Sequence, residues 1–147
     1  MVNPNVQGKT YPATDPYLVG REKIREFAHA VKSTSPVNLD VFAAQAAGYT
    51  DLVAPTTFAV VIQERSLATV LGDPEADIDF SRVVHGDQRF VHARPIVAGD
   101  ELTSELTVAS VKSLGGHSMV TFETNIFDAG KALVCTAIST LVVRGDE

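Results

Sequence analysis

One cysteine, Cys135, is all that this chain of 147 residues carries, so an internal disulfide is excluded. Cys135 lies in an apolar run and reads as a buried, inert thiol. No run of lysines and arginines is present, and the formal net charge is −6. Neutralising phosphates needs a clustered cationic surface, so a nucleic-acid partner is not expected. No stretch approaches the roughly 18 apolar residues of a membrane-spanning helix. The opening Met1-Val2-Asn3-Pro4-Asn5 shows no basic segment followed by an apolar one, so no membrane partner is expected and the cytoplasm is the expected location. His29, His92 and His117 are scattered without ligand spacing, and there is neither a Gly-rich phosphate loop nor a Gly-x-Ser-x-Gly elbow. Neither a metal nor a cofactor is expected.

What is present is an ordinary globular composition, 45% apolar and 20% charged, in a length suited to a single domain spanning 1–147. Residues 1–19 carry Pro4, Pro12 and Pro16 with little periodicity and read as an extended, ordered arm. Ile24, Phe27, Ala28 and Val31 then fall on one helical face over residues 20–31, and Pro36 ends that helix. A short second helix follows, capped by Asp40, with Phe42, Ala43, Ala46 and Ala47 as its packing face and Gly48 as its stop. Residues 56–71 are apolar except for a narrow strip at Gln63-Glu64-Arg65-Ser66. A helix of about 16 residues there would be roughly 24 Å long and buried nearly all round.

From residue 83 onward the period changes to two. Val120, Phe122, Thr124 and Ile126 alternate with Thr121, Glu123 and Asn125, as in a half-buried strand. Residues 83–93, 101–112 and 132–143 are also strand-like, the last apolar on both faces and therefore central. Gly115-Gly116 and Asp128-Ala129-Gly130-Lys131 supply the hairpin turns. Helices first and about four antiparallel strands afterwards make an α+β protein whose sheet wraps around a long buried helix.

Three stretches carry a family resemblance over roughly residues 8–143: Ala54-Pro55-Thr56-Thr57-Phe58, Val83-Val84-His85-Gly86-Asp87-Gln88-Arg89-Phe90, and Arg94-Pro95-Ile96-Val97-Ala98-Gly99-Asp100-Glu101-Leu102. In that order and spacing the chain resembles the MaoC-like, FAS1-type dehydratases. These include the N-terminal half of two-domain (R)-specific enoyl-CoA hydratases and the accessory subunit of mycobacterial-type (3R)-hydroxyacyl-ACP dehydratases. The resemblance implies a hot-dog fold, edge-to-edge pairing of two such units, and an acyl-CoA or acyl-ACP thioester as ligand. It also implies that Pro55, Thr56, Thr57, Phe58, Ile62, His85, Gly86 and Gln88 bind that ligand, with room for an acyl chain beside Phe58 and Ile62.

Active members of that family carry an Asp and a His, separated by four residues, on the loop after the first helix. Adding or removing water across an unsaturated thioester needs one group for the α-proton and one for the hydroxyl. The corresponding loop here is Val31-Lys32-Ser33-Thr34-Ser35-Pro36-Val37-Asn38, with Ser33 and Asn38 at the two positions. Neither side chain exchanges a proton near neutral pH. The expectation is a non-catalytic subunit that pairs with a catalytic MaoC-type chain, with a homodimeric hydratase or an acyl-binding protein without turnover as alternatives.

His85 and Asp87 are the candidates for a substitute acid/base pair, because alternation along a strand would place both on one face. The structural reading, which we favour, has Gly86 permitting close backbone approach while His85, Asp87 and Gln88 hydrogen-bond neighbouring loops at the subunit interface. Glu64 on the long helix could activate water in a thioesterase, but its strip with Gln63 and Arg65 reads more simply as a solvated face.

Overall fold

The computed structural model describes residues 1–146. A two-residue strand β1 (Tyr17–Leu18) precedes helix α1 (Arg21–Ala30), the short α2 (Val41–Ala46) and the long α3 (Ala59–Leu71). Four long strands follow: β2 (Val83–His92), β3 (Glu101–Leu114), β4 (His117–Phe127) and β5 (Leu133–Val143). They form one antiparallel sheet in the order β1-β3-β4-β5-β2. Gly115 and Gly116, at φ 57° and 81°, close the β3–β4 hairpin in the conformation a two-residue turn requires.

Alternation delivers the expected inner face. Leu102, Leu106, Val108, Val120, Phe122, Ile126, Cys135, Ala137 and Leu141 are all buried, and Ala59, Ile62 and Val70 of α3 lie over them. Each such Leu, Ile or Phe contributes about 1.5–3 kcal/mol by leaving water. Phe58, wholly buried, packs edge-on to Phe27 of α1 at 5.4 Å between ring centroids. That contact joins α1 to the start of the long helix. Apolar surroundings push the Cys135 thiol up to about 11, consistent with an inert side chain.

Three local expectations are corrected. The long helix begins at Ala59, because Thr56, Thr57 and Phe58 form a turn closed by Phe58 N–H donating to Pro55 O at 2.9 Å. Nor is it buried all round: Glu64, Arg65, Ala68 and Thr69 are exposed, since the sheet covers only the side carrying Ala59, Ile62, Gln63, Ser66 and Val70. In α2, Asp40 caps by accepting from Phe42 N as expected, but Ala44 is the buried residue and Phe42 is 81% exposed. Val41, half-buried against the core, also packs inward.

The two edges of the sheet differ. The N-terminal arm is ordered as expected and runs along the β3 edge. There Gly8 and Tyr11 donate to Val108 O and Leu106 O, and Thr14 donates to Ser104 O. Val2, Val6 and Tyr11 are buried there, and Lys9 and the Tyr11 hydroxyl both reach Asp73 just beyond α3. The opposite edge is β2, which pairs only with β5 among the described residues. An uncovered strand of ten residues is a template for a second chain.

Candidate functional site

The loop after α1 holds Ser33 and Asn38 against each other. Ser33 Oγ donates to Asn38 Oδ1 at 2.7 Å, and Asn38 Nδ2 donates to Val53 O at 2.6 Å. Asn38 is buried, so its amide is a staple between this loop and the segment leading to α3. Neither a hydroxyl nor a carboxamide exchanges a proton near neutral pH, so the pair is closed and neutral.

The second group lies between α3 and the β2 edge. Strand β2 is interrupted at Gly86: His85 opposes Leu141, whereas Asp87 already opposes Thr140 and Gln88 opposes Ser139. This bulge corrects the expectation that His85 and Asp87 share a face. Directly opposed residues point to the same side, so His85 and Gln88 face inward with the buried Leu141 and Ser139, and Asp87 faces out with Thr140. A Cβ on Gly86 would stand 3.4 Å from Thr140 O and from Val142 Cγ2, at the near limit of ordinary van der Waals contact.

Turned inward, His85 meets Gln88 Oε1 at 3.1 Å and Ser139 Oγ at 3.2 Å through its Nε2. Gln88 Nε2 in turn donates to Gln63 Oε1 at 2.9 Å. These residues form the polar floor of a cavity of about 290 Å³ whose walls are Val60, Leu67, Phe80, Val83 and Leu141, with Glu64 at its margin. A mostly apolar concavity with a few convergent polar groups is the usual form of a small-molecule site. His85, Gln88 and Glu64, picked out separately in the sequence, are thus brought together, while Asp87 is not.

A second cavity, about 380 Å³, lies at the start of α3 and is lined by Tyr49, Val53, Ala54, Thr56, His92, Arg94 and Ile96 among others. His92 Nε2 donates to Thr56 O at 2.8 Å. Arg94 is held by Asp100 at 2.9 and 3.1 Å, and by Asp128 at 3.4 Å. Thr56 and Thr57 are exposed and Pro55 is half-buried. Phe58 and Ile62 line neither cavity; both are fully buried in the core, and the open space of the first cavity lies along the adjoining flank of α3, beside Val60, Gln63 and Leu67.

Sequence reasoning missed Gln63, Ser139 and His92. Gln63 reads as part of a solvated strip, yet it is 3% exposed. The signal was its place in the stripe Ala59, Ile62, Gln63, Ser66, Val70, which follows the i, i+3, i+4 spacing of a covered face. No group of three or more His, Cys, Asp or Glu among the described residues is placed to hold a metal ion. No helix among them is long and apolar enough to cross a membrane.

Comparison with known proteins agrees with the fold. Residues 5–137 match the family described as "FAS1-like, dehydratase domain region". A UPF0336 protein of Leifsonia xyli subsp. xyli is 66% identical over 146 residues, covering 99% of this chain and 98% of that protein. In the crystal structure of a C-terminally truncated HadBC (3R-hydroxyacyl-ACP dehydratase) complex from Mycobacterium tuberculosis, one chain is 33% identical and superposes with a TM-score of 0.84, covering 96% of this chain and 99% of that one. A MaoC-like dehydratase is also 33% identical, with a TM-score of 0.80 over 95% of this chain and 42% of that one. A curled antiparallel sheet around one long helix is the hot-dog fold that these proteins share. On fold, motifs and these similarities together, the chain belongs to the FAS1-like dehydratase-region family.

Proposed function

We propose that this chain is the non-catalytic, acyl-thioester-binding subunit of a (3R)-hydroxyacyl-thioester dehydratase or enoyl hydratase, working in the cytoplasm beside a catalytic MaoC-type hot dog. The observation that carries the reading is the Ser33–Asn38–Val53 staple, which occupies the loop where the family's proton-exchanging pair stands. General acid/base catalysis needs groups whose charge can change near the working pH, and neither an alcohol nor a carboxamide provides that. In the pair, the partner supplies the Asp and His, and this chain supplies walls for the acyl tail.

Two further features support a pair. The β2 edge is free, and Phe80, Val84 and Val91 on or beside it are large apolar side chains at 66%, 50% and 57% exposure. The 290 Å³ cavity is lined in part by that same strand, through Val83, His85 and Gln88. A partner strand added to β2 would cover the exposed side chains and wall the cavity in one step. The thioester is carried by CoA or by an acyl carrier protein.

The test is to tag the chain in its source cell, purify it gently, and identify by intact mass what accompanies it. The expected companion is a second hot-dog chain with an intact Asp and His separated by four residues. Replacing those two residues in the companion should abolish dehydration by the complex, whereas dehydration that survives the replacement contradicts the proposal. A second reading, a homodimeric hydratase, draws on the position of His85 in the cavity. It requires a lone homodimer with activity that His85→Ala removes.

A further inference from the structure

The floor of the cavity is a directed hydrogen-bond chain, and the chain ends in a donor that opens onto the cavity. Gln88 Nε2 donates to Gln63 Oε1, so Gln88 Oε1 is the end that faces His85. A carboxamide oxygen only accepts, so His85 Nε2 carries a hydrogen and is the donor. Each link polarises the next in the same sense, from His85 through Gln88 to the Gln63 amide. Gln63 is 3% exposed and lines the cavity, yet its Nε2 has no acceptor among the described residues. Its hydrogens are within reach of the cavity, since Thr124 Oγ1 is the sole polar side-chain atom found both sealed from solvent and unpaired among those residues.

A wall of Val60, Leu67, Phe80 and Leu141 suits methylenes, but the Gln63 amide does not. An unbroken alkyl tail laid across it would strip water from two N–H groups and return nothing, the costly side of hydrogen-bond exchange. An oxygen at that point of the tail would accept from Gln63 and complete the chain. Glu64 at the margin disfavours a carboxylate there, leaving a neutral oxygen such as a ketone or hydroxyl.

We propose that Gln63, oriented by Gln88 and His85, is a specificity-determining donor that selects acyl thioesters whose tail carries a neutral hydrogen-bond-accepting oxygen over plain alkyl tails of equal length. This rests on the acyl-binding reading above. Gln63 is the group that touches the ligand, and Gln88 and His85 are positioning residues.

The test measures calorimetric affinity of the full chain for decanoyl-CoA and for decanoyl-CoA bearing one keto group, moved stepwise along the tail. A ketone accepts but cannot donate, so it reads the direction of the chain. The expected result is one keto position bound about tenfold more tightly than the plain tail. In Gln63→Met, similar in length and without the amide, that preference should vanish while decanoyl-CoA binds at least as well. Equal affinity for plain and keto tails at every position, with both binding, overturns the donor proposal and leaves the acyl site standing. No binding of any tail overturns the acyl reading and the donor proposal with it. The wild-type comparison decides the matter even should the Gln63→Met protein not fold.

Discussion

Asn38 uses both ends of its amide, accepting from Ser33 and donating to Val53 O. Because the group is buried, removing it strands a backbone carbonyl without its donor. Asn38→Ala should therefore destabilise the fold by about 1–3 kcal/mol, read from urea unfolding. It should leave turnover by the complex unchanged per folded molecule. A loss of turnover at unaltered stability would place Asn38 in the chemistry instead. Ser33 and Asn38, at the positions that the resemblance assigns to Asp and His, were legible in the sequence, because that reading needed only the loop motif. The hydrogen bond between them was not, since it depends on how the loop folds back toward residue 53. Gln63 was misread for a related reason: a polar residue beside Glu64 and Arg65 looks solvated until the sheet's position over α3 is known.

Among the elements, the N-terminal arm is held by ionisable groups. Lys9 and the Tyr11 hydroxyl both hydrogen-bond Asp73, and hold its carboxyl down to about 2. Burial, and after it the Asp73 bond, pushes the Tyr11 phenol up to about 12. A carboxyl lowered on folding stabilises above its unfolded value near 4, and that contribution fades as the pH falls from there towards about 2. A phenol raised on folding stabilises below about 10, and its contribution is lost as the pH rises through about 12. Asp73→Asn should lower Tm at pH 7 and flatten the loss of Tm between about pH 4 and 2. Thermal melts across that window check it, and a parallel shift of the whole acid limb would contradict it.

The β2 edge makes the complementary prediction. Val84→Lys with Val91→Lys places charges on two exposed positions, so the folded unit should keep its stability while native mass spectrometry shows pairing lost. Pairing that survives both lysines would move the interface elsewhere. The four long strands were readable because period two and the two turns are local signals. The bulge at Gly86 was not allowed for: simple alternation across it placed Asp87 on the wrong side, although a glycine inside a strand is itself a warning of a bulge. The extent of α3's exposure was hidden because hydrophobicity alone does not say how far a sheet wraps.

On the scale of the whole molecule, one sheet edge is closed by the chain's own arm and the other is free. An apolar cavity opens beside that second edge, and the loop after α1 is closed by a neutral staple. On the proposed function, this unit contributes binding and depends on another for chemistry. The most direct measurement is kcat/KM for enoyl thioesters of increasing length, taken with the catalytic partner alone and with the reconstituted pair. The account predicts a gain of roughly tenfold or more on long tails, where this chain's walls are used, and little gain on the shortest. Equal values for partner and pair at every length would contradict it.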